Sequence, residues 1–171
     1  MTTTNTCIAV VNAGAARLFS YEVRDDRTQK IVEEQDLPNL GRRAKDAELY
    51  SDTKTGSRKS DSPGNAGSGV HGSTDDHRDA HRDEMDAKFV KLVCDQVAQL
   101  AQARAAKHVI FAAPPRILGD LRLHFEALRK HGLQVEEILG DLSHLSQAAL
   151  QDKLAEANLV APRPRATAPQ G

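Results

Sequence analysis

This chain of 171 residues has no tryptophan, and its aromatic content is only 4%. A core must therefore be built from Val, Leu, Ile and Ala. Single-stranded nucleic acid usually stacks on aromatic side chains, so a broad stacking platform is disfavoured. There are only two cysteines, Cys7 and Cys94, which excludes a disulfide scaffold and reads as two small, reduced core residues. Charge of one sign is also lacking. The formal net charge is −1, so no global field recruits nucleic acid or a membrane, and any anion site must be local. No apolar run approaches the roughly 20 residues of a membrane span. The stretch MTTTNTCIAVVNAGAA has neither the basic start nor the sustained apolar core of a signal peptide. The expectation is a cytoplasmic protein that does not engage a membrane.

What is present is organised around Ser73–Ala106. Met85, Phe89, Leu92, Val93, Val97, Leu100 and Ala101 recur at helical spacing and predict a core-facing stripe. Upstream, His77 and His81 continue the line through Met85. One long helix is predicted, anchored by its second half, with a polar first half beside a glycine-rich loop.

Before it, Thr6–Asn12 is a short apolar run that reads as a buried strand. Residues Arg17–Val23 alternate, and Lys30–Leu37 returns as a more polar edge strand, completing an antiparallel meander. Pro38–Gly72 breaks the regularity. Arg42–Tyr50 predicts a helical turn or two, and from Ser51 the chain is polar and punctuated by glycine. After the long helix, Lys107–Ala113 predicts a second buried strand. Arg116–His131 predicts a helix opened by Pro114-Pro115 and closed by Gly132. Leu133–Leu139 reads as the last strand, and Gln147–Asn158 as a helix capped by Ser146. The order β-β-β-α-β-α-β-α predicts an α/β fold of the ribonuclease-H-like kind, a five-stranded mixed sheet with helices on both faces. Residues 1–160 form the predicted single domain, and the Pro-rich tail 161–171 is expected to be disordered.

Nucleases of that architecture hold metal ions with carboxylates on the first strand, the long helix and the next strand. Here the first strand ends in Asn12, and the fourth carries Ala112 and Ala113. Both facts argue against such a nuclease. His77 and His81 have the i, i+4 spacing that can share a metal, with His71 or Asp76 as a third ligand. Solvated histidines are the favoured reading, and no cofactor is assigned. Gly64–Gly72 opens onto a helix start, where amides can hold an anion, but lacks the lysine of a phosphate-binding loop. A contact loop is favoured. Pro114-Pro115-Arg116 places Arg116 at a strand end, where ligands often sit in α/β sheets. Two prolines remove two amide donors there, which favours a rigid turn. Asp141, Ser143 and His144 are too close in sequence for a triad. They read as local backbone caps, with His144 fixed by a hydrogen bond.

Four stretches carry a resemblance: VVNAGAARLFSYE, ELYSDTKTGSRKSDSPGNAGSGVHG, FAAPPRILGDLR and EEILGDLSHLSQAALQDKL. Together they resemble the bacterial host attachment protein family, described as required for attachment to host cells. The resemblance covers all but about the last ten residues. Asn12 stands where the family pattern would place Asp, so no acid's role is carried over to it. That family is in turn similar to the middle domain of archaeal and eukaryotic class I peptide-chain release factors. In those, a Gly-Gly-Gln loop precedes the long helix and reaches the ribosome's catalytic centre. Gly69-Val70-His71-Gly72 falls in that place by position, and Gly64–Gly72 contains no Gln. The resemblance implies ribosome or RNA binding without peptidyl-tRNA hydrolysis.

The leading expectation is thus a non-enzymatic cytoplasmic factor. Its binding candidates are Arg58, Lys59, Gly69, His71, His77, His81, Arg116, Asp141 and His144. Arg42, Arg43, Lys45 and Lys54 add local positive charge. The alternative is a metal-assisted hydrolase of RNA or nucleotide phosphodiesters using His71, His77, His81 and Asp141. A scaffold for a protein partner is the third reading.

Overall fold

The computed structural model describes residues 3–24, 29–42 and 73–164. Its elements are β1 Thr3–Val11, β2 Ala15–Val23, β3 Gln29–Pro38, α1 Ser73–Arg104, β4 His108–Ala113, α2 Pro115–Lys130, β5 Gln134–Leu139 and α3 Gln147–Glu156. The five strands form one mixed sheet in the order β3-β2-β1-β4-β5. β1 pairs antiparallel with β2, and β2 with β3. β1 pairs parallel with β4, and β4 with β5. The parallel register runs from Thr6 opposite His108 to Val10 opposite Ala112. The C-terminal ends of β1, β4 and β5 therefore share one edge of the sheet.

Side chains alternate across a strand, so β1 and β4 each supply two cores. Cys7, Ala9, Val11, Val109, Phe111 and Ala113 face α1 and α2. Ile8, Val10, Ile110 and Ala112 face α3. A strand covered on both faces must be apolar throughout, which explains the unbroken runs IAVV and VIFAA. Phe111 stacks on Phe125 of α2 with ring centroids 5.1 Å apart. Cys7 and Cys94 are both buried and free, and burial pushes each thiol up to about 12, which keeps them protonated core residues.

The helix ends follow local chemistry. Ser146 Oγ accepts the Ala149 amide at 3.2 Å, the expected N-cap. Gly132 takes φ +83 after α2, and Leu133 N donates to Leu128 O while Gly132 N donates to Arg129 O. This is the left-handed closure that favours glycine. α1 closes by the same pair of bonds, Ala106 N to Ala101 O and Ala105 N to Gln102 O. There Ala105 holds the left-handed position at φ 53.

Two expectations change, and a third falls largely outside the described residues. Leu92, expected in the core stripe of α1, is 45% exposed; Val90 and Cys94 are buried beside Phe89 and Val93, so the buried stripe is rotated. Residues 40–42 are helical, and the rest of the helical stretch expected up to Tyr50 lies outside the described residues. Residues 161–163, expected in the tail, are held: Ala161 N donates to Tyr21 Oη at 3.2 Å, and Arg163 pairs bidentately with Asp152. Residues 165–171 lie outside the described set.

Leu154 is fully buried on α3. Leu154→Ala should cost about 2–5 kcal/mol. Leu92→Ala should cost about 0.5 kcal/mol or less, as at other surface positions. Urea denaturation of both variants checks this, and the small Leu92 effect is the one that checks the rotated stripe of α1.

Candidate functional site

The shared C-terminal edge of β1, β4 and β5 is where an α/β sheet usually offers a ligand site. Here it is filled by a polar knot built from Asn12. Asn12 ends β1, and its Oδ1 accepts the amides of Gly14 and Ala15, both at 2.8 Å. Its own amide donates to Ala15 O at 2.9 Å. The carboxamide thus mimics a backbone turn and closes the β1–β2 connection. Its other end, Nδ2, donates to Ser143 Oγ at 2.9 Å.

Ser143 sits in the loop after β5. Its hydroxyl donates to Asp141 Oδ1 at 2.5 Å, and its amide donates to the same oxygen at 3.0 Å. The Ser143 hydroxyl bond, more than any other contact, holds the Asp141 carboxyl below the ordinary aspartate range, against a partial desolvation that works the other way. Gly140, at φ +136, turns the chain into this loop, a conformation that favours glycine. Its amide stays tied to Ala113 O at 2.9 Å.

Arg17 on β2 joins this loop to the far edge of the sheet. Nε and Nη2 donate to the two carboxylate oxygens of Glu33 on β3, at 2.9 and 3.0 Å. Nη1 donates to Ser143 O at 3.0 Å and Leu145 O at 2.7 Å. The guanidinium also lies 5.0 Å from the Phe19 ring centroid. Hydrogen bonding to Arg17 lowers the Glu33 pKa, and the same bond raises that of Arg17. A planar fork with fixed donors is the group suited to holding a carboxylate and two carbonyls together.

A third tie fixes the start of the glycine-rich segment. Asn39 is buried; its Nδ2 donates to Ala13 O and its amide to Gly14 O, both at 2.9 Å. Arg42 then reaches Asp86 on α1 with Nε at 3.2 Å and Nη2 at 3.1 Å. Asp86 is 1% exposed, so Arg42 is the partner that makes its burial tolerable. Between them, a Cβ at Gly41 would overlap Met85 Sδ, so glycine lets the chain pass against α1.

Of the residues expected to form a site, those among the described residues do not gather. Arg58, Lys59, Gly69 and His71 lie outside the described residues, as does the side chain of His77. His81 is exposed on α1. Arg116 pairs with Asp83 of α1, and both are more than half exposed. Asp141 is absorbed into the knot. His144 is exposed, and among the described residues no hydrogen bond fixes it as expected. Arg42, counted as free loop charge, is committed to Asp86. Among the described residues, no three His, Cys, Asp or Glu side chains come together as metal ligands. Sequence reasoning passed over Arg17, Asn39 and the bond from Asn12 to Ser143. The spacing of Arg17 and Glu33 becomes informative only once strand register is known.

The family described as "Protein required for attachment to host cells" matches residues 7–154. No curated protein matches the chain. Among solved structures it is similar to the Aquifex aeolicus PPX-GPPA enzyme, at 15% identity and TM-score 0.38 over 81% of this chain and 36% of that one. It is likewise similar to the type II variant of the Aquifex aeolicus Ppx/GppA phosphatase, at 14% identity, TM-score 0.38 and the same coverage. The chain thus spans little more than a third of those proteins' length, and a likeness of this degree carries no statement about activity.

The knot dictates a pH response. Asp141 titrates lower in the folded chain than in the unfolded one. Its contribution is complete above the ordinary aspartate pKa and is lost as pH falls through the lowered folded value. Asp141→Asn should flatten that acid limb of the stability profile. Asn12→Asp should cost about 1–3 kcal/mol at neutral pH, because a donor to Ser143 becomes a second carboxylate near Asp141. The deficit should shrink as one carboxyl protonates; a deficit constant from neutral to acid pH would contradict the assignment. Urea denaturation across pH measures both.

Proposed function

The chain belongs to the family of proteins required for attachment to host cells, and from that premise we propose that it is a non-enzymatic cytoplasmic factor that binds the ribosome or RNA through its glycine-rich segment. The observation that carries this reading is the closed knot at the end of β1. Asn12 Oδ1 is committed to the amides of Gly14 and Ala15, its Nδ2 to the Ser143 hydroxyl, and that hydroxyl to an oxygen of Asp141. Groups saturated in this way hold a scaffold and are poorly placed to activate water or bind a phosphodiester. The strand order β3-β2-β1-β4-β5 with a parallel β1-β4-β5 half supports reading the sheet as ribonuclease-H-like.

Contact with a large partner then falls to what projects from the sheet. α1 has 32 residues, about 48 Å of helix at 1.5 Å per residue. Residues 80–84 are all exposed, and burial begins at Met85 and Asp86. The first half of α1 is a polar lever carrying the C-terminal end of the glycine-rich segment. The other end of that segment is tied down at Arg42. Lys54, Arg58 and Lys59 within it supply charge for phosphate contacts. The host attachment phenotype is, on this reading, a downstream consequence. No helix among the described residues is long and apolar enough to cross a membrane.

Cosedimentation on low-salt sucrose gradients, from growing and starved cells, tests the proposal. The tagged protein should travel with a ribosomal peak and leave it as salt rises. Replacing Lys54, Arg58 and Lys59 with Ala should reduce the slope of log affinity against log salt by roughly 2–3. A protein that stays at the top of the gradient in both states, or a salt slope untouched by the triple change, would overturn it.

A further inference from the structure

The sheet has two outermost strands, and they are finished differently. At β3, Gln151 of α3 is 2% exposed. Its Oε1 accepts the Ile31 amide at 3.3 Å, and its Nε2 donates to Gln29 O at 3.0 Å. A register shift between Leu18 and Phe19 marks a bulge in the β2–β3 pairing, and Pro38 ends the strand. A covering side chain, a bulge and a proline are devices that keep an edge strand from pairing with another chain. β5 has none of them. Its sequence QVEEIL holds no proline, lysine or arginine. It pairs with β4 without a shift, from Gln134 opposite His108 to Leu139 opposite Ala113. Among the described residues no strand lies on its outer side.

The parallel ladder decides which backbone groups that outer side presents. Gln134 N donates to Lys107 O, and Gly140 N donates to Ala113 O. The even-numbered residues therefore turn N–H and C=O toward β4, and Val135, Glu137 and Leu139 turn theirs outward. Among the described residues no hydrogen bond reaches these three amides and three carbonyls. The side chains of the same three residues stand on the face covered by α2. Val135 packs against that core. Glu137 takes Arg122 of α2 bidentately, from Nε at 2.9 Å and Nη2 at 2.5 Å. Leu139, next along, is 63% exposed.

This edge is complementary to itself. An antiparallel two-fold centred on Glu137 sets Val135 opposite Leu139 of the other copy, Glu137 opposite Glu137, and Leu139 opposite Val135. All three are then hydrogen-bonded pairs, so all six outward groups of each copy find partners. A two-fold centred on Glu136 would instead set Leu139 against Leu133, whose amide is already given to Leu128 O. The side chains favour the same register. Val–Leu pairs flank the two-fold at about 5 Å, the spacing at which cross-strand partners interact. The two central carboxylates each arrive with Arg122, whose Nη1 has no hydrogen-bond partner among the described residues. Across the two-fold that nitrogen meets Glu137 of the other copy, so two acids and two guanidiniums alternate.

We propose that the chain forms a two-fold dimer in which β5 pairs antiparallel with β5 of a second copy, joining the two sheets into one. The same patch serves both copies, as an isologous interface requires. The pairing is independent of the glycine-rich segment and of ribosome binding.

Sedimentation equilibrium of the full chain, from low micromolar to near-millimolar concentration, tests it. The mass should rise to twice that of one chain. Glu137→Arg and Arg122→Glu, each alone, gather four charges of one sign at the two-fold and should weaken association by at least about tenfold. Mixed in equal amounts, the two variants should form a dimer again, because one brings only guanidiniums and the other only carboxylates. That recovery also shows that both variants are folded. Amide hydrogen exchange adds the register: Val135, Glu137 and Leu139 should gain protection as concentration rises, while Glu136 and Ile138 are protected throughout. Lys54→Ala with Arg58→Ala and Lys59→Ala should leave the dimer unaltered, which separates it from the ribosome reading. A monomer at every concentration would overturn the proposal. So would a dimer whose Val135, Glu137 and Leu139 amides exchange freely, one indifferent to both charge reversals, or no recovery on mixing.

Discussion

The fork of Arg17 is the interaction on which the upper edge of this molecule depends. One guanidinium joins β2 to β3 through Glu33 and to the loop after β5 through the carbonyls of Ser143 and Leu145. It therefore spans a five-stranded sheet from one side toward the other. Arg17 and Glu33 are each a fifth to a third exposed, so solvent screens much of their mutual attraction. The bonds to two loop carbonyls are of a different kind. They give partners to backbone groups that the irregular loop cannot satisfy itself, which is where a charge-assisted donor contributes most. With that loop fixed, Ser143 meets Asn12, and the β1–β2 turn is fixed in turn.

On the proposed reading, the consequence is a displacement of function. In a sheet of this connectivity, the C-terminal ends of the parallel strands are the natural crevice for a ligand. Here Asn12, Asp141 and Ser143 occupy it and satisfy one another. What remains for recognition is outside the crevice. The polar half of α1 reaches beyond the core, with its first anchor at Met85 and the buried Arg42–Asp86 pair. On the proposed reading, the sheet is the mount from which α1 makes contact.

Much of the mount was legible in the sequence because it rests on short-range rules. IAVV and VIFAA lack polar residues and had to be buried on both faces. Ile117, Leu121, Phe125 and Leu128 recur at helical spacing, and all are buried on α2. Ser146 and Gly132 sit where a cap and a left-handed closure are needed. Leu92 misled because one residue along a helix is a rotation of about 100°, and apolar neighbours on both sides hide such a rotation. The site was less legible because its contacts are long-range. Asn12 meets Ser143 across 131 residues, and Arg42 meets Asp86 across 44. Neither spacing has a local signature.

Amide hydrogen exchange at Gly14, Ala15 and Ser143 tests the closed knot most directly. These amides lie in turns, yet each donates to a side-chain oxygen of Asn12 or Asp141. A closed, structural knot predicts protection close to that of β1, falling sharply in Ser143→Ala. Exchange at the rate of a free loop, unchanged by that substitution, would mean that the edge is open, and that Asn12 and Asp141 are free to bind a ligand after all.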